Sequence, residues 1–330
     1  MRRDRRWVRP LVGVVILGLL GWRLGAGPFL DGLRRVDGWT LLAGATIGVV
    51  TTVSGAWRWV LVSRGLGAAL PLRTAVAECY RSQFLNVTLP GGVIGDVRRG
   101  VGHGHDSGDV GRGLRTVLWE RTAGQVVLAV LTVGAFLVLP SPLRASGAVS
   151  GSVSLATTTT TVVLLCLVLL VTLAVLLRRR GVLLGLRQPR RLGSALVRDV
   201  RAGVLGRHTW PGVLGASAVV VTGHAATFVV AARSAGVTAS PSRLLPLALL
   251  VLVAMSLPLN VAGWGLREGA AAWAFGAAGL GAAAGVGTAV VYGVMSLVAC
   301  LPGAGLLVLS RRGRRYGGPS RVAEREPAHV

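Results

Sequence analysis

Lysine is missing from this 330-residue chain: all 36 basic residues are arginine. The absence excludes a Walker-type phosphate loop, whose lysine reaches the nucleotide phosphates, and any Schiff-base chemistry. Acidic residues are scarce too, 12 in all, and five stretches carry no charged residue: 122–140, 145–177, 209–232, 244–266 and 269–310. Crossing a bilayer core takes about 20 apolar residues in a helix. Backbone buried that long without water must satisfy itself internally, which predicts helices. Cysteine is represented only by Cys79, Cys166 and Cys300, too scattered for a metal site or a disulfide framework.

What fills the chain instead is 52% hydrophobic residues, with a mean hydropathy of +0.64 and a net charge of +24. In a soluble protein such a charge would suggest nucleic acid. Here the arginines sit between apolar runs, the pattern of the positive-inside rule, so no nucleic-acid partner is expected. The fold class is all-α: a polytopic membrane protein with about 6–8 transmembrane helices. Helices are expected near 8–24, 39–62, 117–139, 153–177, 210–232 and 284–309. The first, preceded by five arginines, resembles a signal peptide; the spans that follow make an uncleaved helix the better reading.

Arginine also predicts orientation. Residues 1–10 hold five, 178–207 nine and 311–330 six, against one to three in the other loops. Both termini and 178–207 are therefore expected in the cytoplasm, with the protein multi-pass in the cytoplasmic membrane. Going outward at 210–232 and finishing inside at Arg311 takes an odd number of crossings. Segment 244–281 either crosses twice or re-enters from outside. Residues 1–315 are expected to form one membrane domain, and 316–330 a disordered tail.

Two apolar segments, near 73–98 and 244–281, are broken by Pro and Gly. One reads Leu89-Pro90-Gly91-Gly92-Val93-Ile94-Gly95-Asp96-Val97-Arg98-Arg99-Gly100; the other runs from Leu257-Pro258 through Gly263-Trp264-Gly265-Leu266-Arg267-Glu268-Gly269. Pro removes a helical donor and Gly accepts angles other residues refuse, so Pro90, Gly91, Gly92, Gly95, Pro258, Gly263 and Gly265 are expected to form interhelical turns. Broken helices at membrane depth, one in each half and entering from opposite faces, form an inverted repeat and point to a transport site. Independent Gly-rich turns are the plainer alternative.

These motifs, with Trp57-Arg58-Trp59, Phe84-Leu85-Asn86 and Glu120-Arg121, resemble the flippase-like membrane domain of lysylphosphatidylglycerol synthases over nearly the whole chain. In those synthases the domain carries aminoacylated phosphatidylglycerol across the membrane after a cytosolic domain makes it. This sequence ends about 20 residues after its last expected helix, so the resemblance implies translocation without aminoacyl transfer and leaves the lipid open.

Charges at membrane depth are costly and are candidates for function. Arg58, Asn86, Asp96, Arg98, Glu120, Arg121, Arg267 and Glu268 are the expected substrate-binding set, with Arg98 and Arg267 lining one polar cavity and Asp96 neutralising Arg98. Against this, Arg58 between two tryptophans suits an interfacial belt, Arg99 suits a helix-end anchor, and a pairing of Glu120-Arg121 with Arg267-Glu268 would be structural. Glu78 and Arg81 have the spacing of an ion pair. His224 reads as a packing residue, His103-Gly104-His105-Asp106 as a solvated loop, the Asn86-Val87-Thr88 sequon as incidental, and Gly276, Gly279, Gly281 and Gly285 as close-packing surfaces. No metal, cofactor or catalytic residue is expected. The expected partners are membrane lipids with anionic headgroups, and a second copy or an envelope-pathway protein is compatible with the pattern. Translocation of an anionic or aminoacylated lipid is the leading function. A membrane scaffold docking through 178–207 and a lipid-modifying enzyme are the alternatives.

Overall fold

The computed structural model describes residues 5–89, 92–139, 198–257 and 264–316. The expected helix 153–177, most of the arginine-rich loop 178–207, the turn residues Pro90, Gly91, Pro258 and Gly263, and tail residues 317–330 lie outside them. The described residues form these helices: α1 Arg5–Leu24, α2 Gly27–Arg34, α3 Gly38–Gly65, α4 Leu72–Thr88, α5 Ile94–Asp106, α6 Val110–Val138, a π-helical turn Val200–Val204, α7 Trp210–Ser234, α8 Pro241–Met255, α9 Leu266–Ala277 and α10 Ala282–Tyr316. The protein is a polytopic helical membrane protein. Helices α3, α6, α7 and α10 each contain 25 residues or more and are apolar enough to cross a bilayer.

Local chemistry sets several of the ends. Asp37 accepts hydrogen bonds from the Thr40 amide (2.8 Å) and hydroxyl (2.5 Å), capping α3, and these bonds hold its carboxyl below the usual carboxylate range. Asp109 caps α6 through the Arg112 amide at 2.9 Å. Pro211 and Pro241 sit in the first turns of α7 and α8, where the missing donor costs nothing.

Two units share one plan. In the first, long helices α3 and α6 flank the hairpin α4–α5; in the second, α7 and α10 flank the hairpin α8–α9. Each hairpin's first arm packs on a long helix of the other unit, α4 on α10 and α8 on α6. The second arm of each packs on the long helix that follows it, α5 on α6 and α9 on α10. At 1.5 Å per residue, 15-residue α8 rises about 22 Å and 12-residue α9 about 18 Å, short of the roughly 30 Å hydrocarbon core. Segment 244–281 is thus a pair of short helices, and the first hairpin likewise pairs 17-residue α4 with 13-residue α5. The resulting core is built from small and branched residues, including Ala231, Val251, Ala274 and Ala289 around Phe228 and Phe275. Large apolar side chains such as Val130, Leu137, Leu301 and Val308 stay on the outside, where hydrocarbon is the solvent.

Three expectations need correction. Helix α6 begins at Val110, not near residue 117, because Asp109 caps it; Glu120 and Arg121 therefore lie well inside the helix instead of opening it. His103-Gly104-His105-Asp106 is the last turn of α5, not a loop, and His103 is buried with its Nε2 2.7 Å from Ser63 Oγ. Residues 27–34, left between the expected helices 8–24 and 39–62, form helix α2, started by Pro28.

Gly95 shows what the hairpin geometry demands. A Cβ there would lie 2.6 Å from Ser82 Cα, backbone against backbone where α5 crosses α4. We predict that Gly95→Ala lowers stability by about 1–3 kcal/mol through forced overpacking. Gly134, which has open space around it, should tolerate the same change with little loss. Thermal unfolding in detergent micelles measures the difference.

Candidate functional site

The deepest feature is a carboxylate held between two guanidiniums from other helices. Glu120 of α6 is 2% exposed. Its Oε1 accepts from Arg58 of α3, through Nε at 2.9 Å and also through Nη2. Its Oε2 accepts from Arg99 Nη2 of α5 at 2.7 Å. Arg58 also donates to Ser217 Oγ of α7 at 3.0 Å, so one ion cluster touches four helices. Gly124 makes room for it, since a Cβ there would sit 2.7 Å from Arg58 Nη1. Arg99 stacks 4.8 Å from the centre of the Trp59 ring.

Asp96 is the second node. Its Oδ1 accepts from Ser82 Oγ (3.0 Å), Arg99 Nε (3.0 Å) and Arg121 Nη2 (2.8 Å), and its Oδ2 from Asn86 Nδ2 (3.1 Å). Asn86 Oδ1 in turn accepts from the Gly95 amide at 2.8 Å, so it closes the break between α4 and α5. In the second unit, Glu268 stands third in α9, as Asp96 stands third in α5. Its Oε2 accepts from the Gly265 amide at 2.6 Å and its Oε1 from Arg267 Nε at 2.8 Å and Nη2 at 2.6 Å. Gly265 adopts φ 101°, a conformation that favours glycine, and Gly92 of the first break has φ 60°. The N-terminus of α9 is therefore satisfied by its own first-turn carboxylate, and that of α5 by Asn86 from α4.

Both breaks open onto one cavity of about 520 Å³. Val87, Thr88 and Gly92 come to it from the first hairpin; Met255, Trp264 and Arg267 come from the second. Four arginines line it: Arg58, Arg99, Arg121 and Arg267. Gly44 and Arg58 both face it, which spans about 21 Å of α3 at 1.5 Å per residue, from the arginine cluster to walls of Met295 and Ala299. Arg267 lies 4.7 Å from the Trp264 ring and 5.9 Å from the Tyr292 ring, and Tyr292 OH is 3.1 Å from His224 Nδ1.

The structure gathers Arg58, Asn86, Glu120, Arg121 and Arg267 at this cavity, with Asp96 and Glu268 bonded to its lining. Arg98 departs from expectation: its side chain is 41% exposed, pairs with Glu78 at 3.3 Å and does not line the cavity. Asp96 neutralises Arg99 and Arg121, not Arg98. Arg99, expected to be a helix-end anchor, takes the inner position because it lies one helical turn from Asp96 on the same face. That spacing was the available signal. Arg58 is no belt residue either, since Trp59 beside it is wholly buried and only Trp57 faces outward. The Glu120-Arg121 and Arg267-Glu268 pairs bond within their own units. Glu78 does pair with Arg81 at 2.5 Å, as its spacing predicts.

Removing one partner from a buried cluster leaves an uncompensated charge. Glu120→Gln is predicted to cost about 3–5 kcal/mol, whereas Arg98→Gln, at a more exposed pair, should cost no more than about 1 kcal/mol. Unfolding midpoints of the purified variants check the ranking.

Residues 6–303 match the family described as the lysylphosphatidylglycerol synthase TM region. No curated protein and no solved structure matches the chain significantly. With nine-tenths of its length inside that match and both family motifs at one polar cavity, the chain belongs to the lysylphosphatidylglycerol synthase transmembrane family, an integral membrane family with a lipid-related role.

Proposed function

We propose that the protein translocates a lipid bearing an anionic headgroup across the cytoplasmic membrane, and that it does so without a catalytic step. The observation that carries this reading is the cavity between the two hairpins: guanidiniums at one end, apolar wall at the other, inside a body whose outer surface is hydrocarbon-like. A lipid poses the same division. Its headgroup loses hydration at membrane depth unless cations replace the water, while its chains favour hydrocarbon. Arginine suits that task because its planar fork matches phosphate oxygens and its charge does not depend on pH.

Orientation follows from the arginine distribution, which puts both termini and 178–207 in the cytoplasm. On that map α4–α5 enters from the cytoplasmic face and α8–α9 from the outer face. Two hairpins of one plan and opposite entry give a cavity that can close toward either side by similar motions, the usual logic of inverted repeats. The chain carries no lysine for a nucleotide loop, so movement runs down a gradient of lipid, proton or potential.

Arg121 is the sharpest probe, since its side chain is 44% exposed and it holds the rim of the cluster, not its centre. Arg121→Gln is predicted to slow headgroup movement by about tenfold or more, the worth of one charge-assisted hydrogen bond, with unfolding near normal. Reconstitution into liposomes containing acyl-labelled phospholipid measures it per folded molecule. Full transport by Arg121→Gln would contradict the reading, and a docking scaffold would move no lipid at all.

A further inference from the structure

The cavity's charges carry a statement about which headgroup it accepts. Four guanidiniums line it, and Asp96, Glu120 and Glu268 are the carboxylates bonded to them. All six oxygens of those three carboxylates already accept hydrogen bonds. A further carboxylate on α4, Glu78, is bridged by Arg81 and Arg98.

No other acid is available to it. The remaining eight of the 12 acidic residues lie in α2, at helix ends, or in residues 1–4 and 317–330. Segments 90–91, 140–197 and 258–263 contain no Asp or Glu at all. Aromatic faces are the other common seat for an ammonium. Here the Trp264 and Tyr292 rings are faced by Arg267, and the Trp59 ring by Arg99. The charged groups with free capacity are cationic. Among the described residues, Arg121 makes its one hydrogen bond through Nη2, to Asp96, and Nη1 of Arg267 makes none.

Resting on the reading of the cavity as a lipid headgroup site, we infer that its ligand is a lipid phosphate carrying no ammonium group, and that the cavity discriminates against aminoacylated and amine-bearing phospholipids. A lysyl headgroup would bring its ammonium groups among four guanidiniums, with every carboxylate oxygen beside them among the described residues already bonded to a donor. Like charges brought together in this way repel, which disfavours such a ligand. The phosphate can belong to a glycerophospholipid or to a polyprenyl monophosphate, since both offer the same anionic oxygens to Arg121 and Arg267.

The test uses the full chain and measures binding and movement separately. Native mass spectrometry in detergent compares phosphatidylglycerol, lysylphosphatidylglycerol, phosphatidylethanolamine and polyprenyl monophosphate in pairwise competition. Liposome assays follow the acyl-labelled forms. We expect phosphatidylglycerol or polyprenyl monophosphate, whichever source is right, to outcompete both amine-bearing lipids by at least about tenfold. Arg121→Glu, which adds a carboxylate at the rim, should shrink that ratio at least about fivefold, chiefly by improving lysylphosphatidylglycerol. Lysylphosphatidylglycerol binding as well as or better than both anions overturns the inference, as does a ratio unchanged by Arg121→Glu in folded protein. Selective binding of an anion without movement would overturn translocation and leave the headgroup assignment standing.

Discussion

The carboxylate of Glu120, held between Arg58 and Arg99, is the constraint on which the first half of the molecule depends. Burying one charge is costly and burying three is tolerable only when each finds its partners in fixed positions. Satisfying Glu120 requires α3, α5 and α6 to meet at one depth, and Arg58 adds α7 through Ser217. Asp96 then draws in α4 through Ser82 and Asn86. The break between α4 and α5 is thus tied to its neighbours by polar bonds that lipid cannot replace. The same bonds leave the arginines aimed along a cavity instead of into hydrocarbon.

The two halves share a plan and differ in how they are fastened. In the first, ion pairs cross between helices. In the second, Glu268 accepts from both Arg267 and the Gly265 amide, all at the start of one helix, and α8 is held by an apolar interface that includes Leu244, Leu247 and Val251. Apolar contacts are non-directional and slide more readily than a bidentate ion pair. If one hairpin shifts against the rest of the body, this asymmetry favours the second.

Much of this was legible in the sequence. Long uncharged runs located α6, α7 and α10, because only a helix satisfies its own backbone over such a length. The paired Leu-Pro and Gly motifs located both breaks, where Gly92 and Gly265 take the positive φ that favours glycine. The site was legible only in outline. Glu120 was visible as a costly charge, but its partners Arg58 and Arg99 lie 62 and 21 residues away, and pairing across helices leaves no mark in local spacing. Arg98 and Arg99 are adjacent in sequence, and which of them turns inward depends on where α5 starts. Asn86 bonding the Gly95 amide fixes that start, and it emerges only once α4 and α5 are docked. The helical identity of His103–Asp106 was hidden for a similar reason: its glycines suggest a loop until Gly104 is seen packed against Val110 at the crossing with α6.

The central claim is that a hydrated, cationic cavity lies at mid-depth in an otherwise apolar body. Ser296 faces that cavity from the middle of α10, whereas Val130, 65% exposed, faces outward from α6. Single cysteines at these two positions, in a chain whose native cysteines are replaced, can be reacted in liposomes with small anionic and cationic thiosulfonates. The account predicts that Ser296→Cys reacts, faster with the anionic reagent, and that Val130→Cys reacts with neither. Equal protection of both positions, or faster reaction of Ser296→Cys with the cation, would contradict it.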